Sequence, residues 1–305
     1  MARMVQSRIN ALSTGWNIVF NLLLISMVAL CVIPVLLVYS VSFSSEASIA
    51  EYGYRIIPKE FSLFAYDFMF KTGDHILNAY MISIIVTVCG TISALIITAM
   101  FAYVISRKSF KMRNVFAFIA YFTMLFSGGL IPSYMINTQV FNLNNNILAL
   151  ILPYLVSAWN VLVLRTFFQA TVPDSIIESA KIDGAGEFTI FFRIVMPLAK
   201  PGLATIGFML LIMYWNDWWL AMLYIKKQNL IPIQQLLMKA INSIEFIRTN
   251  SRFLATPQGQ ALLNRLPSQS GRMALVVIAT TPILFAYPFF QKYFIKGLTI
   301  GGVKG

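Results

Sequence analysis

Long apolar runs constrain this chain more than anything else in it. Six stretches, at about 16–42, 76–104, 114–134, 146–168, 201–225 and 273–295, have the length and apolarity that a bilayer-crossing helix needs, about 20 residues. Hydrocarbon offers the backbone no hydrogen-bonding partner, so such runs can only be helices or a closed barrel, and runs this long are read as helices. The expected fold class is therefore an all-α membrane protein with six transmembrane helices, one domain over 1–305. Only 11% of the residues are charged, against about 25% in a soluble domain.

The third run is interrupted by "MLFSGGLIPSYM", with Gly128, Gly129 and Pro132. Such a break is tolerated where neighbouring protein or cavity water satisfies the freed backbone groups. It is expected near the outer mouth of that helix. The first run, Trp16 to Phe43, is too long for a signal-peptide core and lacks a small-residue cleavage pattern, so it reads as a retained first span.

The net charge of +12 points away from nucleic acid, because the basic residues gather at the ends of apolar runs rather than in a DNA-reading or RNA-reading pattern. Short-loop charges give the orientation instead. "RKSFKMR", 107–113, has four basic residues and no acid, and Arg3, Arg8, Lys292, Lys296 and Lys304 flank the two ends, so both termini are expected in the cytoplasm. Segment 43–75, with five acids and three bases, is then outside. Lys226 and Lys227, next to the fifth run on the outer side, count against this orientation.

Reactive chemistry has little to stand on. Cys31 and Cys89 lie inside apolar runs, His75 is the single histidine, and no Walker-type glycine-rich lysine motif is present. The sequence offers no catalytic residue, no metal site and no cofactor, and a membrane enzyme or a regulator is disfavoured with them.

One cytoplasmic loop is unusual. From Arg165 to Lys200 eight charged residues balance: Arg165, Lys181, Arg193 and Lys200 against Asp174, Glu178, Asp183 and Glu187. A helix lying on lipid would be basic on its polar face, so a balanced loop suits a protein partner better. "VPDSIIESAKIDGAG" opens with helix-start residues, and either Asp174 or Ser175 could cap. Ile176, Ile177, Ala180 and Ile182 are expected along one side of a two-turn helix, Gly184 at the turn, and "GEFTIFFRIVMP" as a second helix leading to Pro197 and Pro201. A plain solvated hairpin is the competing reading.

The order of these residues resembles the EAA loop of importer-type ABC transporter permeases, in the carbohydrate-uptake branch. The matching residues are Glu178, Ser179, Ala180, Asp183, Gly184, Ala185, Phe191, Ile194, Pro197 and Pro201, with Ser179 where the family usually has alanine. "FSGGLIPSYM", "NVLVLRTFFQATVP" and "KGLTIGGVKG" extend the likeness toward the LplC and YtcP type of polysaccharide and oligosaccharide importer permease, and more distantly the maltose-system permease MalG. The resemblance implies a bacterial plasma-membrane subunit forming half of a translocation pathway. Its implied partners are a second, different permease subunit, a cytoplasmic ATPase dimer, an extracellular solute-binding protein and an oligosaccharide. Glu178, Ser179, Ala180, Asp183, Gly184, Ala185 and Pro197 would couple it to the ATPase.

A sugar passage needs rings to stack on and polar groups to replace water. Trp159 and Asn160, with Trp215, Asn216, Asp217 and Trp218 from "MYWNDWW", are candidate pathway-lining residues, with Asn78 and Tyr287 beside them. An interfacial aromatic belt would explain the tryptophans equally well. Outer loop 226–272 holds a candidate amphipathic helix through Leu230, Ile233, Leu236, Leu237, Ala240 and Ile241, a docking element for the binding protein or a lid on the permease itself. The alternative function is an ion-coupled secondary transporter, a design that usually shows an internal repeat, helices broken at midplane or buried ionisable residues, whereas Asp217 is the only acid within a proposed span.

Overall fold

The structure is a computed structural model, and it describes residues 14–71, 74–249, 256 and 269–301. Arg3, Arg8 and Lys304, used above for orientation, lie outside those residues, as does much of the outer loop after 249. Among the described residues there is no strand beyond a single bridge between Ser44 and Phe61.

The chain divides into two compact units, Met1–Lys71 with Ile244–Ile278, and Thr72–Ser243 with Ala279–Gly305. The first contains α1 (Thr14–Ser42), α2 (Glu46–Tyr52) and α3 (Phe64–Lys71). Helix α1 carries no charged residue and is apolar on every side, and none of its apolar stretch is buried. In this unit Glu46 turns its Oε1 to the backbone N–H groups of Gln269 and Ser270, at 2.9 and 2.8 Å, and to the Ser270 hydroxyl. A carboxylate placed there satisfies the orphan donors at the start of a helix and opposes its positive end.

The second unit is built on α4 (Asp74–Ser106), α5 (Arg113–Leu125), α6 (Leu130–Met135), α7 (Ala158–Thr171), α8 (Asp174–Ile182), α9 (Glu187–Ile190), α10 (Lys200–Asn216), α11 (Trp219–Tyr224) and the part of α12 (Ile233–Thr249) up to Ser243. Helix α13 (Ser270–Gly301) begins in one unit and ends in the other. Helix α4 packs along α10 and α7, and α5 packs on α7. Alanines do much of this: Ala94, Ala99 and Ala102 of α4 are fully buried, opposite Val161, Leu164 and Phe168 of α7 and Ile206 and Leu210 of α10. Small residues let helices approach closely where lipid gives no hydrophobic drive to association. Gly90 is the tightest case on α4, since a Cβ there would meet the Tyr214 ring at 2.7 Å.

The six-span reading rests on helices that are straight in three cases and bent in three. Helices α1, α4 and Ser270–Gln291 of α13 are long and apolar enough alone. The third span is α5 followed by Leu130–Val140 at 112°, broken at the Phe126–Gly129 stretch that holds the two glycines. The fourth is two short 3-10 turns over Ile147–Tyr154 running into α7 at 50°. The segment Glu187–Leu198 meets α10 at 86°, so it lies across the end of the fifth span rather than along it. That fifth span also ends early: α10 stops at Asn216, and α11 begins at Trp219.

Candidate functional site: a braced turn between two short helices

Helix α8 begins at Asp174 with Pro173 as its N-cap, and no side chain caps it. Neither Asp174 nor Ser175 acts as the cap, which corrects the sequence expectation. Asp174 instead stands at the first helical position and takes two cations, Arg107 at 3.2 Å and Lys108 at 3.1 Å. With two bases next to it, the carboxylate serves as an ion-pair acceptor, leaving the orphan N–H groups to solvent.

The expected apolar side is also corrected. Ile177 and Ala180 are buried, but Ile176 is 40% exposed and Ile182 86% exposed. At about 100° per residue, Ile177 and Ala180 lie about 60° apart, whereas Ile182 is about 200° on from Ala180 and faces the opposite way. Ile182 and Phe188, 70% exposed, therefore stand out on either side of the turn.

The turn itself is a Schellman arrangement. Ala185 N–H donates to Ala180 O at 2.9 Å and Gly184 N–H donates to Lys181 O at 3.0 Å. Gly184 has φ +81°, a left-handed conformation that a Cβ resists. Beyond it Glu187 closes the loop. It pairs with Lys181 and accepts a hydrogen bond from the Tyr103 hydroxyl at 3.2 Å. The Lys181 ammonium holds the Glu187 carboxyl below the usual carboxylate range. Two further contacts finish the brace: Arg165 Nε donates to Ile105 O at 3.1 Å, at the last turn of α4, and the Arg107 guanidinium lies 5.9 Å over the Tyr103 ring. Glu178 and Ser179 stay exposed on the outer face of α8, with Asp183 at its end. Pro197 is exposed beyond the wide turn Phe191–Val195.

The candidate pathway residues do not gather into one cluster. Trp159 is 58% exposed while its neighbour Asn160 is buried. Trp215 is buried, and its indole N–H donates to Ala279 O at 2.8 Å. Asn216 is exposed. Asp217 turns inward, accepting from the Tyr154 hydroxyl at 3.0 Å and from Leu220 N–H at 3.2 Å. It thus holds the break between α10 and α11, and Trp218 stacks edge-on against Trp219 at 5.7 Å. Asn78 donates to Asn229 O at 2.7 Å, tying α4 to the connection after α11, and Tyr287 lies 5.9 Å from Phe208.

Sequence reasoning missed Asn145, whose side-chain oxygen receives the N–H groups of both Lys226 and Lys227, at 2.7 and 3.0 Å. Its place in the "NNN" run was the available signal, since asparagine tolerates the positive φ of 53° found there. Tyr103 and Tyr154 were missed too, and nothing in their local sequence marks them. Among the described residues no group of three or more His, Cys, Asp or Glu could hold a metal ion.

No family model matches the chain. Individual proteins do. It is 38% identical over 276 residues to the polygalacturonan/rhamnogalacturonan transport system permease protein YtcP of Bacillus subtilis, covering 90% of this chain and 93% of that one. The chain belongs to the ABC sugar-transport permease family. A second relative, protein LplC of Bacillus subtilis, is 38% identical over 278 residues, covering 91% of this chain and 90% of that one. Among solved structures, the family fold recurs in a bacterial ABC transporter involved in the import of the acidic polysaccharide alginate, with TM-score 0.79 and 30% identity over 93% of this permease and 99% of that chain. The fold class read from the apolar runs is thereby the fold of this permease.

Proposed function

We propose that this permease forms half of the translocation pathway of an ATP-driven importer for an oligosaccharide or polysaccharide fragment, and that the α8–α9 turn is where a partner ATPase engages it. Its remaining partners would be a second, different permease subunit and an extracellular solute-binding protein, in a bacterial plasma membrane with both termini and the turn on the cytoplasmic side. The names of the similar proteins, for polygalacturonan, rhamnogalacturonan and alginate, support a polysaccharide fragment as cargo.

One observation carries the reading of the turn: it is rigid within itself and tied to a span. The Schellman bonds fix its shape, while Asp174 and Glu187 fasten both of its helices to the last turns of α4. A push on the exposed Glu178, Ile182 and Phe188 would then move α4 instead of bending the loop. Glu178 offers a charge for pairing, Ser179, Ala180 and Ala185 keep the profile low, Asp183 and Gly184 make the corner, and Pro197 sets the exit toward α10. Closure of paired ATPases would draw such turns together and rock the spans, a rigid-body change of the kind interfaces propagate.

The test is ATPase attachment and stimulation in the reconstituted importer, wild type against a Glu178→Ala, Gly184→Pro double variant. Normal membrane insertion with loss of attachment or stimulation is the expected result. Survival of both attachment and uptake would reduce the turn to a cytoplasmic hairpin. The residues Trp159, Asn160, Trp215, Asn216, Asp217 and Trp218 remain proposed pathway elements, of which the exposed Trp159 and Asn216 are best placed to touch a solute.

A further inference from the structure

Beside the braced turn lies a cavity system. Two apolar hollows of about 370 and 410 Å³ run together along the last turns of α4, sharing Met100, Val104 and Phe110. Ile97 and Phe116 extend one of them, and Phe188 walls the other. The larger one is lined by apolar side chains throughout. At the turn-facing end the lining changes character. Tyr103 and Arg107 belong both to the apolar groove and to a third hollow of about 260 Å³, where Lys108, Arg113, Ser106 and Gln169 join them.

We infer that this groove and the polar hollow together bind one anionic phospholipid, the acyl chain along Met100, Val104 and Phe110 and the phosphate among Arg107, Lys108 and Arg113. An apolar groove flanking membrane spans is filled by hydrocarbon, since water there would gain too few polar partners. The basic residues select the headgroup. "RKSFKMR" puts four cations in seven positions with no acid. Two carboxylates meet this loop among the described residues: Asp174, which also lines the polar hollow, engages Arg107 and Lys108, and Glu187, which lines the apolar groove near Arg107, is paired with Lys181. Neither Lys111 nor Arg113 has a carboxylate partner among the described residues, so charge is left for a phosphate. A basic pocket between spans at the membrane surface is the recurring form of anionic headgroup recognition. Gln169 supplies a neutral donor for the headgroup's remaining oxygens.

The site is tested by native mass spectrometry on the assembled importer, stripped of lipid and then exposed to phosphatidylglycerol or phosphatidylcholine vesicles. Wild type is expected to retain phosphatidylglycerol preferentially. Arg113→Gln should cut that preference about fivefold, the worth of one basic residue beside an anionic surface. Met100→Trp, which fills the groove and leaves the charges, should cut retention of both lipids, while Met100→Leu should not. Co-purification of the ATPase with each variant checks that the fold is intact, independently of any transport reading. Equal retention of the two lipids, or retention unchanged in both Arg113→Gln and Met100→Trp, overturns the inference. So does retention by the permease alone that is lost in the full complex, which would assign the groove to a protein partner.

Discussion

Two breaks between helices, one at Asp183–Gly186 and one at Asp217–Trp218, solve the same problem in opposite ways. Each separates two consecutive helices, and each has at least one carboxylate close by. In the first, the acids hold cations: Asp174 meets the largely buried Arg107 and the exposed Lys108, and Glu187 meets the exposed Lys181. In the second, Asp217 looks inward and is served by neutral donors, a tyrosine hydroxyl and a backbone N–H. An ionised group near membrane depth is costly unless such donors surround it. The outer pairs of the first, Lys108–Asp174 and Lys181–Glu187, can exchange partners at little cost, since exposed ion pairs are worth about 0–1 kcal/mol each. The second cannot. The proposed coupling element and the structural staple thus differ in the kind of partner their carboxylates hold.

The comparison breaks most easily at Gly184. Proline there meets both the wrong φ and a needed N–H, a combination worth about 3 kcal/mol or more, so Gly184→Pro should abolish ATPase co-purification while expression in the membrane persists. Asp217→Ala comes next. It strands the Tyr154 hydroxyl and the Leu220 N–H, and at about 1–3 kcal/mol per buried group left unpaired it should lower the melting temperature of the purified complex by several degrees, without touching ATPase attachment. Tyr154→Phe removes one bond of the two and should give about 1 kcal/mol, a smaller shift in the same assay. Asp174→Asn should leave melting almost unchanged and instead lower substrate-stimulated hydrolysis, because the brace to α4 is loosened.

The smallest effect concerns acidity. Glu187 titrates below the ordinary carboxylate range. Its contribution is therefore present above that range and disappears as pH falls through the lowered folded value. ATPase stimulation in wild type should weaken under strong acidification, and Glu187→Gln should flatten that limb of the profile.

The apolar periodicity of the chain made its helices and its membrane class legible, because bilayer length leaves few alternatives. Gly184 was legible for a similar reason: few residues tolerate that φ. What failed was one-dimensional geometry. Ile182 read as part of an apolar side, yet two residues beyond Ala180 a helix has turned past it. Asp174 read as a cap because its type and place fit one, while the cations that claim it come from a loop 67 positions earlier. Asp217 likewise finds Tyr154 across 63 positions, a pairing no local window contains. The family likeness carried the function where the residues alone left a hairpin.

Helix α1 has one more consequence, for biosynthesis. With 28 residues, high hydropathy, no charge and an unburied apolar stretch, it needs no neighbour to enter the bilayer. An emerging chain inserts from its N-terminal side first, so α1 can be threaded and released into lipid before α4 has been made. The later bent spans, with their glycines, prolines and polar turns, depend on partners to satisfy their backbones. The order of translation thus supplies an autonomous anchor first and leaves the segments that need company to arrive with the chain already held in the membrane.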